Sequence, residues 1–446
     1  MEYAEVSVNS PIAQRRTFSY AIPPGLSIDV GQAVWVPFGD KLLQGIVLEL
    51  SHYPAVEETR EITGIIERRP LLSPSYVSLA RWLSEHYLSR LFDAVALMLP
   101  PGFERKVVTF ICSPPTLPEH DATSLTARQK NILELVQRQG KVSLRELERK
   151  LGVRQARLIT SQLVTKRLVV KSYELGRVKV KPKRVPYLRL TVKASEARQE
   201  AARLLEKRAT RQAGLLYFLA QQSQPVPMAE ARQRLNCGKV VADALVSKGL
   251  ANIELIEIKR EPISYEGITP SYPLTLSTAQ ESAFNAIQSS LIQVAKGYPA
   301  PTIFMLHGVT GSGKTEIYLQ ALAEAVRLGK RGIILVPEIA LTPQTIERFA
   351  SRFPHKVAVL HSKLSLGEQF DEWQRIRDGE FDVVIGSRSA IFAPQPDLGL
   401  IIIDEEHEWT YKQHDKSPRY HARDVTRKLA ELTGAVVILG SATPDV

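Results

Sequence analysis

The sequence predicts an α/β protein in which a doubly wound parallel sheet is preceded by a small β-barrel-like domain and by helical modules. From about residue 276 onward, short apolar runs alternate with helical segments, which is the pattern of βαβ units in a parallel sheet. The first 50 residues instead contain short alternating strands separated by turns rich in Pro and Gly, which favours a barrel. A chain of 446 residues has room for two to four domains.

The N-terminal domain is predicted over residues 1–105 as a β-rich unit. Its strand candidates at 3–8, 18–22 and 33–38 are followed by a helical pattern at 74–98, with Tyr76, Leu79, Leu83 and Tyr87 on one face. The Pro-Pro-Gly sequence at 100–102 ends this unit, and the prolines at 114, 115 and 118 indicate a linker.

Residues 120–190 are typical of a winged helix. Capping boxes begin helices at Thr126 and Ser143, and a third helix is expected from about 154 to 166. A strand pair should follow, in which cationic residues alternate with valines to give one basic face. Residues 205–262 repeat this plan weakly; that second module has fewer basic residues, so DNA binding and protein contact both stay open for it. In the first module, the basic positions of the strand pair predicted after the third helix include Lys179, Lys181 and Lys183.

The charge is concentrated in one part of the chain. The net charge is +11, and residues 101–215 hold 26 Lys and Arg against 10 Asp and Glu. A basic block on an otherwise mildly acidic protein indicates a polyanionic partner such as nucleic acid, although a solvated basic face is the alternative. The sequence has no long apolar run and no secretory signal pattern, and its 2 cysteines form no metal motif. We therefore expect a cytoplasmic protein that does not bind membranes.

Residues 308–315 carry the phosphate-binding pattern G-x-x-x-x-G-K-[ST], between an apolar run and a helical segment. Backbone N–H groups of such a loop turn towards phosphate oxygens, and the following helix N-terminus adds partial positive charge. We expect Lys314 to reach the β- and γ-phosphates of ATP and Thr315 to hold Mg²⁺. A glycine turn that merely contains a lysine is the alternative. The predicted nucleotide-binding residues are Gly308, Val309, Thr310, Gly311, Ser312, Gly313, Lys314 and Thr315.

A second pattern follows the β-branched run 400–403, which ends in Asp404, Glu405, Glu406 and His407. Carboxylates at the carboxyl end of a parallel strand lie at the sheet edge where α/β proteins bind ligands. We expect Asp404 to hold the Mg²⁺ shell and Glu405 to polarise the attacking water. The alternative, an acidic surface turn, is disfavoured beside a phosphate loop because two anions have an obvious partner in a metal–phosphate site.

Further motifs follow one another in a fixed order. They are LSTAQ at 276–280, the phosphate loop, VPEIALTPQ at 336–344, LHS at 360–362, GSRSA at 386–390, DEEH at 404–407 and GSAT at 440–443. An aromatic-rich stretch lies at 409–424, and the N-terminal unit contributes RTFSY at 16–20 and VPFG at 36–39. Together these residues resemble a superfamily 2 helicase, specifically the PriA (primosomal protein N′) family of replication-restart helicases.

The resemblance implies a RecA-like first helicase lobe over residues 270–446, with ATP and Mg²⁺ as cofactors. It implies that Gln280 reads the adenine edge, and that His407 links the ATP site to the DNA surface through Ser441 and Thr443. Aromatic side chains interleaved with cations are, independently, suited to stacking on single strands. The positions that the resemblance places on DNA are Pro337, Glu338, Thr342, Gln344, Arg388, Trp409, Tyr411 and Tyr420.

This chain departs from the family pattern in three ways. It has Ser19 where the resemblance implies an acidic residue in a pocket for a nascent-strand 3′ end, and it has two winged-helix-like units where well-known members have one. The sequence ends soon after GSAT, without the second α/β lobe, arginine finger and cysteine-rich zinc module that the resemblance implies. We therefore expect a fragment or a truncated reading frame.

The function predicted from the sequence is an ATP-dependent 3′→5′ DNA helicase that recognises stalled or branched forks and restarts replication. Forked, single-stranded and duplex DNA are the expected partners, and the resemblance adds single-strand binding protein and primosome or helicase-loading proteins. One alternative is a fork-binding scaffold that binds nucleotide but does not unwind, and another is a related double-strand translocase. We expect these 446 residues to bind ATP and forked DNA with very slow turnover.

Overall fold

The computed structural model describes residues 2–39, 41–103, 107–114, 125–175, 183–258, 260, 262–265, 267–300 and 302–444. The chain divides into two compact units, one formed by residues 1–180 with 262–446 and the other by residues 181–261. In the part of the chain that is described, no helix combines the length and the apolar character needed to cross a membrane.

The N-terminal strands form a sheet with the order β5-β2-β1-β4-β3-β6. The two edge strands, β5 and β6, are successive parts of one segment of the chain. Within this segment Ile62 N–H donates to the Ala21 carbonyl in β2, and Thr63 N–H donates to the Trp35 carbonyl in β3. Because this segment joins both edges, the sheet closes into the small barrel that the sequence predicts. The strands are β1 (Tyr3–Val8), β2 (Phe18–Ala21), β3 (Ala33–Phe38), β4 (Lys41–Ser51), β5 (Arg60–Glu61) and β6 (Gly64–Ile65).

Two helices that follow the barrel, α1 (Pro74–His86) and α2 (Leu91–Ala96), share one hydrophobic core with the C-terminal lobe. Tyr76 of α1 donates a hydrogen bond to the Ala393 carbonyl, and the Tyr87 hydroxyl donates to Asp424 Oδ2 over 2.9 Å. The barrel is therefore attached to the lobe by a continuous core.

The first helical module has the strand order β8-β7-β9, with three helices packed on it, which is the arrangement of a winged helix. The capping box between Thr126 and Gln129 is present, as the sequence predicts. The strand β7 lies in a stretch that the sequence had not assigned to this module. The elements are β7 (Val107–Cys112), α3 (Ala127–Gln139), β8 (Lys141–Ser143), α4 (Leu144–Leu151), α5 (Val153–Thr165) and β9 (Val170–Leu175).

The second unit repeats this topology, with the strand order β11-β10-β12 and one additional helix. The strand pair predicted after α5 was wrong in its partners. Among the described residues β9 pairs with β7, and β10 pairs with β11 and β12, because each module completes its own three-stranded sheet. The elements are β10 (Lys183–Leu190), α6 (Ala194–Glu206), α7 (Thr210–Leu219), β11 (Val226–Pro227), α8 (Met228–Leu235), α9 (Lys239–Ser247) and β12 (Ala251–Ile258).

The C-terminal lobe contains the predicted parallel sheet, with the order β13-β18-β17-β14-β16-β15. Successive residues of β14 enter opposite cores: Ile333 faces the core that contains α1, and Ile334 faces the other. Burial of both faces explains the continuous apolar strand sequences. The strands are β13 (Ile303–His307), β14 (Arg331–Leu335), β15 (Val357–Leu360), β16 (Val383–Gly386), β17 (Leu398–Ile403) and β18 (Val436–Ser441), and the helices are α10 (Thr278–Ala295), α11 (Lys314–Arg327), α12 (Pro343–Arg352), α13 (Leu366–Arg377) and α14 (Ala422–Thr433).

Candidate active site

The glycine-rich loop lies between β13 and α11, at the carboxyl end of the sheet. Lys314 is the first residue of α11 and only 8% exposed; its Nζ donates to the Gly308 carbonyl over 2.6 Å. The same Nζ lies 3.5 Å from Glu405 Oε1, so the lysine already faces the acidic turn. Gln280 Nε2 donates to the Ser312 carbonyl over 2.8 Å, which places this glutamine against the loop. The loop leads into the N-terminus of α11, and the start of a helix is a favourable place for an anion.

A cleft of about 640 Å³ opens beside the loop. One wall is held by a buried ion pair between Arg352 of α12 and Glu316 of α11, with 3.1 Å between Nη2 and Oε2. Burial alone would raise the pKa of Glu316, but hydrogen bonds from Arg352, Gln320 and the Leu274 N–H outweigh it, so the pKa is lowered. The cleft is lined by Tyr272, Leu274, Thr310, Gly311, Lys314, Thr315, Arg348, Arg352, Asp404 and Glu405, among others.

Asp404 follows β17 and is held by two buried tyrosines. The Tyr318 hydroxyl donates to Asp404 Oδ1 over 3.0 Å, and the Tyr411 hydroxyl donates to the Asp404 carbonyl over 2.6 Å. Burial raises the pKa of Asp404 and the Glu405 charge adds to this, whereas Tyr318 and Lys314 act in the opposite direction. Burial also raises the pKa of Tyr318, so its hydroxyl stays protonated and remains a donor. Tyr318 is four residues after Lys314 on α11, and residues at this spacing lie on the same face of a helix. The position of Tyr318 beside the phosphate loop could therefore have been predicted from the sequence.

Glu405 adopts a left-handed backbone conformation with φ +47, which is uncommon for a residue other than glycine. This turn brings its carboxylate to Lys314 and also to His407, whose Nδ1 lies 3.8 Å from Glu405 Oε2. Strained backbone of this kind is often found where a side chain is held for function. Lys314, Glu405 and His407 therefore form one connected polar group beside the phosphate loop.

His407 is also connected to the GSAT motif. Its Nδ1 lies 2.7 Å from Ser441 Oγ, and that hydroxyl accepts a hydrogen bond from Thr443 N–H over 3.1 Å.

Glu406, which the sequence left without a role, is 1% exposed and pairs with Arg423 at 3.0 Å. Arg423 is one of the cations within the aromatic-rich stretch at 409–424, and this ion pair with a buried carboxylate gives it a structural partner.

A second cleft of about 380 Å³ lies beyond the acidic turn, on the side of the residues that were predicted to bind DNA. Trp409 lines it and is 72% exposed. Arg388 also lines it, and its guanidinium donates to the carbonyls of Thr410 and Lys412 and to Gln413 Oε1. Arg388 thus fixes the conformation of the aromatic stretch, while Trp409 presents its ring to solvent.

The stacking role predicted for Tyr411 and Tyr420 is wrong in this structure, because Tyr411 is 1% and Tyr420 is 2% exposed. Both rings belong to the core shared with α1 and α14. Burial raises the pKa of Tyr420 to about 12, against the effect of nearby Arg388. The polar sequence of the loop had favoured exposure, but its two tyrosines turn inward while the polar residues between them remain outside. Tyr411 instead connects the loop directly to Asp404.

The residues at 337–344 form the turn after β14 and the first two positions of α12. Pro337 is buried, whereas Glu338 and Gln344 are exposed, and Glu338 accepts a hydrogen bond from the Ser362 hydroxyl. Thr342 caps α12 by accepting a hydrogen bond from Thr345 N–H over 3.3 Å.

Of the basic positions predicted to bind DNA, Lys183 is an exposed residue of β10. Lys179 and Lys181 lie outside the described residues.

The residues around the loop fit a nucleotide with its magnesium ion. Thr315 and Asp404 line the same cleft, and a hydroxyl with a carboxylate is a donor pair that suits Mg²⁺ held together with phosphate oxygens. Within the described ranges, no group of three or more His, Cys, Asp and Glu side chains is arranged to hold a metal by itself. A site shared with phosphates is consistent with both observations.

Comparisons with known proteins match two parts of the chain. Residues 278–446 match the DEAD/DEAH box helicase family, and residues 5–100 match the PriA 3′ DNA-binding domain. Replication restart protein PriA of Bacillus subtilis is 35% identical over 100% of this chain and 54% of its own length. The protein of that name from Synechocystis is 36% identical over 100% of this chain and 52% of its length, and that of Chlamydia trachomatis is 32% identical over 100% and 49%.

One solved structure, of RecG bound to a three-way DNA junction, is 28% identical where it matches. It covers 39% of this chain and 22% of that chain, with a TM-score of 0.30, a value too low to establish a common fold over the chain.

The parallel sheet, the phosphate loop and the acidic turn define this lobe as the ATP-binding domain of a DEAD/DEAH box helicase. The N-terminal barrel adds a second defining domain. The chain belongs to the PriA family of replication restart helicases, and it spans about half the length of the curated relatives that it matches.

The position of Tyr318 depends on Gly440, because a Cβ at Gly440 would lie 1.7 Å from the Tyr318 hydroxyl oxygen. We expect Gly440→Ala to displace that hydroxyl from Asp404 and to weaken Mg·ATP binding roughly tenfold, the effect of losing a hydrogen bond to a charged group. Titration with a fluorescent ATP analogue measures it. Gly214→Ala is the control, since nothing lies within 4 Å of that position. Wild-type affinity in a folded Gly440→Ala protein would contradict the role given to Tyr318.

Proposed function

We propose that this chain contains the fork-binding modules and the first motor lobe of an ATP-dependent 3′→5′ DNA helicase that restarts replication at stalled or branched forks. The observation that carries the proposal is the position of Asp404 between two sites. Tyr318 connects it to the phosphate-loop helix, and Tyr411 connects it to the aromatic stretch that Arg388 organises. A movement of the aromatic stretch would therefore displace Asp404 and change the geometry of the nucleotide cleft.

On the nucleotide side, Lys314 would exchange its bond to the Gly308 carbonyl for the β- and γ-phosphates, and Gln280 would read the adenine edge. Thr315 and Asp404 would hold Mg²⁺, which neutralises charge on the phosphates when bound. Glu405 orients the attacking water and accepts its proton, since its carboxylate is held beside Lys314 and His407. The phosphate-binding residues of the loop are those at 308–315.

On the DNA side, Trp409 is the side chain suited to stacking on a base, because its ring is exposed in the second cleft. The residues at 337–344 and Arg388 line the path of the strand. His407, Ser441 and Thr443 would transmit the state of this surface to Glu405 through the hydrogen bonds among them and the 3.8 Å contact between His407 Nδ1 and Glu405 Oε2. The barrel contributes binding at a 3′ end, in line with the domain that it matches.

Lys179, Lys181 and Lys183, in the chain segment that leads from the first winged-helix module into the second, would track duplex phosphates, and the second, less basic module would contact either DNA or protein. Single-strand binding protein and primosome or helicase-loading proteins are the proposed protein partners, and the cytoplasm is the proposed location.

A fork-binding scaffold that does not unwind is the rival function. The described residues contain one fully parallel sheet, so no second motor lobe faces the cleft within them. Strand displacement on a forked substrate distinguishes the two functions.

Lys314→Ala tests nucleotide binding. We expect Mg·ATP affinity to fall at least about tenfold while the fold is retained, because one charge-assisted hydrogen bond to phosphate is removed at a loop. Isothermal titration calorimetry measures the affinity, and circular dichroism checks the fold. Lys296→Ala is the matched control, since that exposed lysine ends α10 away from the cleft. An unchanged affinity in folded Lys314→Ala protein would remove the nucleotide assignment.

Charge reversal of Lys179, Lys181 and Lys183 to glutamate tests the basic modules. We expect binding to branched or duplex DNA to weaken for every sequence. The slope of log K against log salt should become shallower by about 0.9 for each phosphate that the variant no longer neutralises. Fluorescence anisotropy of the complete 446-residue chain over a salt series gives the slope. A slope equal to that of the wild type would place these lysines on a solvated face.

A further inference from the structure

An exposed leucine ends α1 in an unfavourable backbone conformation. Leu88 follows Tyr87, the residue that caps the helix, and has φ +50. Ser89 N–H donates to the Ser84 carbonyl over 3.0 Å, which is the bond of a Schellman turn, where glycine usually takes the left-handed position. Leucine is disfavoured there, and its side chain is 76% exposed, so packing does not offset the strain. Backbone strain without a packing gain is typical of a position with a role outside the fold.

A second exposed apolar side chain lies on the adjoining turn. Leu91 N–H donates to the Gln14 carbonyl over 2.9 Å, which joins the turn after α1 to the loop between β1 and β2. Ile12 lies two residues before Gln14 in that loop and is 78% exposed. Gln14 itself has a positive φ of +49. Two adjoining turns thus present an isoleucine and a leucine to solvent, and we call Ile12 and Leu88 the apolar patch.

Cations border the apolar patch. Arg15 and Arg16, in the same loop as Ile12, are both exposed. Arg90, in the turn after α1, has a side chain that is 43% exposed, although it also pairs with Asp93. Phosphates flank the apolar faces of the bases in DNA, so an apolar centre with a cationic border is complementary to DNA.

The apolar patch also adjoins the surface that is proposed to bind DNA. Tyr87, directly before Leu88, contacts the aromatic stretch of the lobe. Its ring centre lies 5.3 Å from Lys412 Nζ, and its hydroxyl accepts a hydrogen bond from His421 N–H over 3.1 Å. Lys412 lines the second cleft, along which a strand is proposed to run. The patch is therefore continuous with the proposed path of the strand.

The form of the patch favours one part of a fork. Inside a continuous duplex the base faces are stacked on one another, and apolar side chains reach them only by opening a base step, which costs free energy. Where a fork opens, the last base pair of the duplex has one face without a stacked neighbour. Apolar side chains on protruding turns can cover that face without unstacking any base.

We propose that Ile12 and Leu88 pack against the exposed face of the last base pair, at the point where a forked duplex opens. The inference rests on the proposed binding of forked DNA. It adds a contact with paired bases, which differs from the stacking of Trp409 on a single strand. Such a contact would place the opening of the fork at the border between the barrel and the motor lobe.

The test is permanganate footprinting of a fork whose last base pair contains a thymine. Permanganate attacks the C5–C6 double bond of thymine from the face of the ring. The complete 446-residue chain is bound to saturation without nucleotide, and fluorescence anisotropy checks the saturation. We expect the wild type to lower the reactivity of this thymine about fivefold, because apolar side chains exclude the reagent from the face that they cover. Thymines farther along the arms measure reactivity at positions that the patch does not reach.

Leu88→Asn is the main variant, since asparagine has the same branched shape, tolerates the left-handed backbone and is polar. We expect its protection of the thymine to fall to about twofold while its thermal stability is at least that of the wild type. The double variant Ile12→Asn with Leu88→Asn should give no protection, and Leu88→Met should protect like the wild type. Leu205→Asn is the matched control, because Leu205 is 55% exposed on α6 of the second unit.

Unchanged reactivity of the thymine on a fork that is bound by the wild type would overturn the inference. Full protection by the folded double variant would also overturn it, since other residues would then cover the base pair. Increased reactivity with the wild type would mean that the pair is opened and not covered, which contradicts the proposed packing. A different result bears on the proposed function: if the wild type binds the fork no better than blunt duplex, fork binding itself is wrong.

Discussion

The position of Asp404 is the constraint on which the rest of the active site depends. The carboxylate of Asp404 at the end of β17 is partly buried, and burial raises its pKa, so a hydrogen-bond donor that stabilises the charged form counteracts this effect. The Tyr318 hydroxyl supplies one donor, and Tyr411 fixes the backbone of the same residue from the other side. Both tyrosines are themselves buried in opposite cores of the sheet, so the packing of the lobe determines the geometry of the site.

The same packing joins the barrel to the motor lobe. The hydroxyl of Tyr87, at the end of α1, donates to Asp424 and accepts from His421 N–H, and Lys412 lies 5.3 Å from the Tyr87 ring centre. These partners lie in the same stretch, 409–424, that contains Trp409. A strand end bound by the barrel and a strand bound by the lobe would therefore act on one compact unit, which suits the fork binding proposed above.

Sequence patterns predicted the parts of this structure that arise from local chemistry. The phosphate loop, the acidic turn and the strands of the parallel sheet follow from glycine spacing and apolar runs, and the structure has each of them. The pairing of β10, the burial of Tyr411 and Tyr420 and the bond between Glu5 and Ser19 depend on distant segments meeting in space. Polarity of a loop does not say which of its side chains turn inward, and periodicity does not say which strand lies next to which.

The most direct test of the link between the two clefts is the affinity for a non-hydrolysable ATP analogue, measured with and without saturating single-stranded DNA. Because coupling through Asp404 is reciprocal, we expect DNA to strengthen analogue binding by about fivefold or more in the wild type. The effect should disappear in Arg388→Ala, where the aromatic stretch loses the hydrogen bonds that anchor it at Thr410 and Lys412. Equal affinities with and without DNA in the wild type, with DNA shown to be bound, would contradict the account.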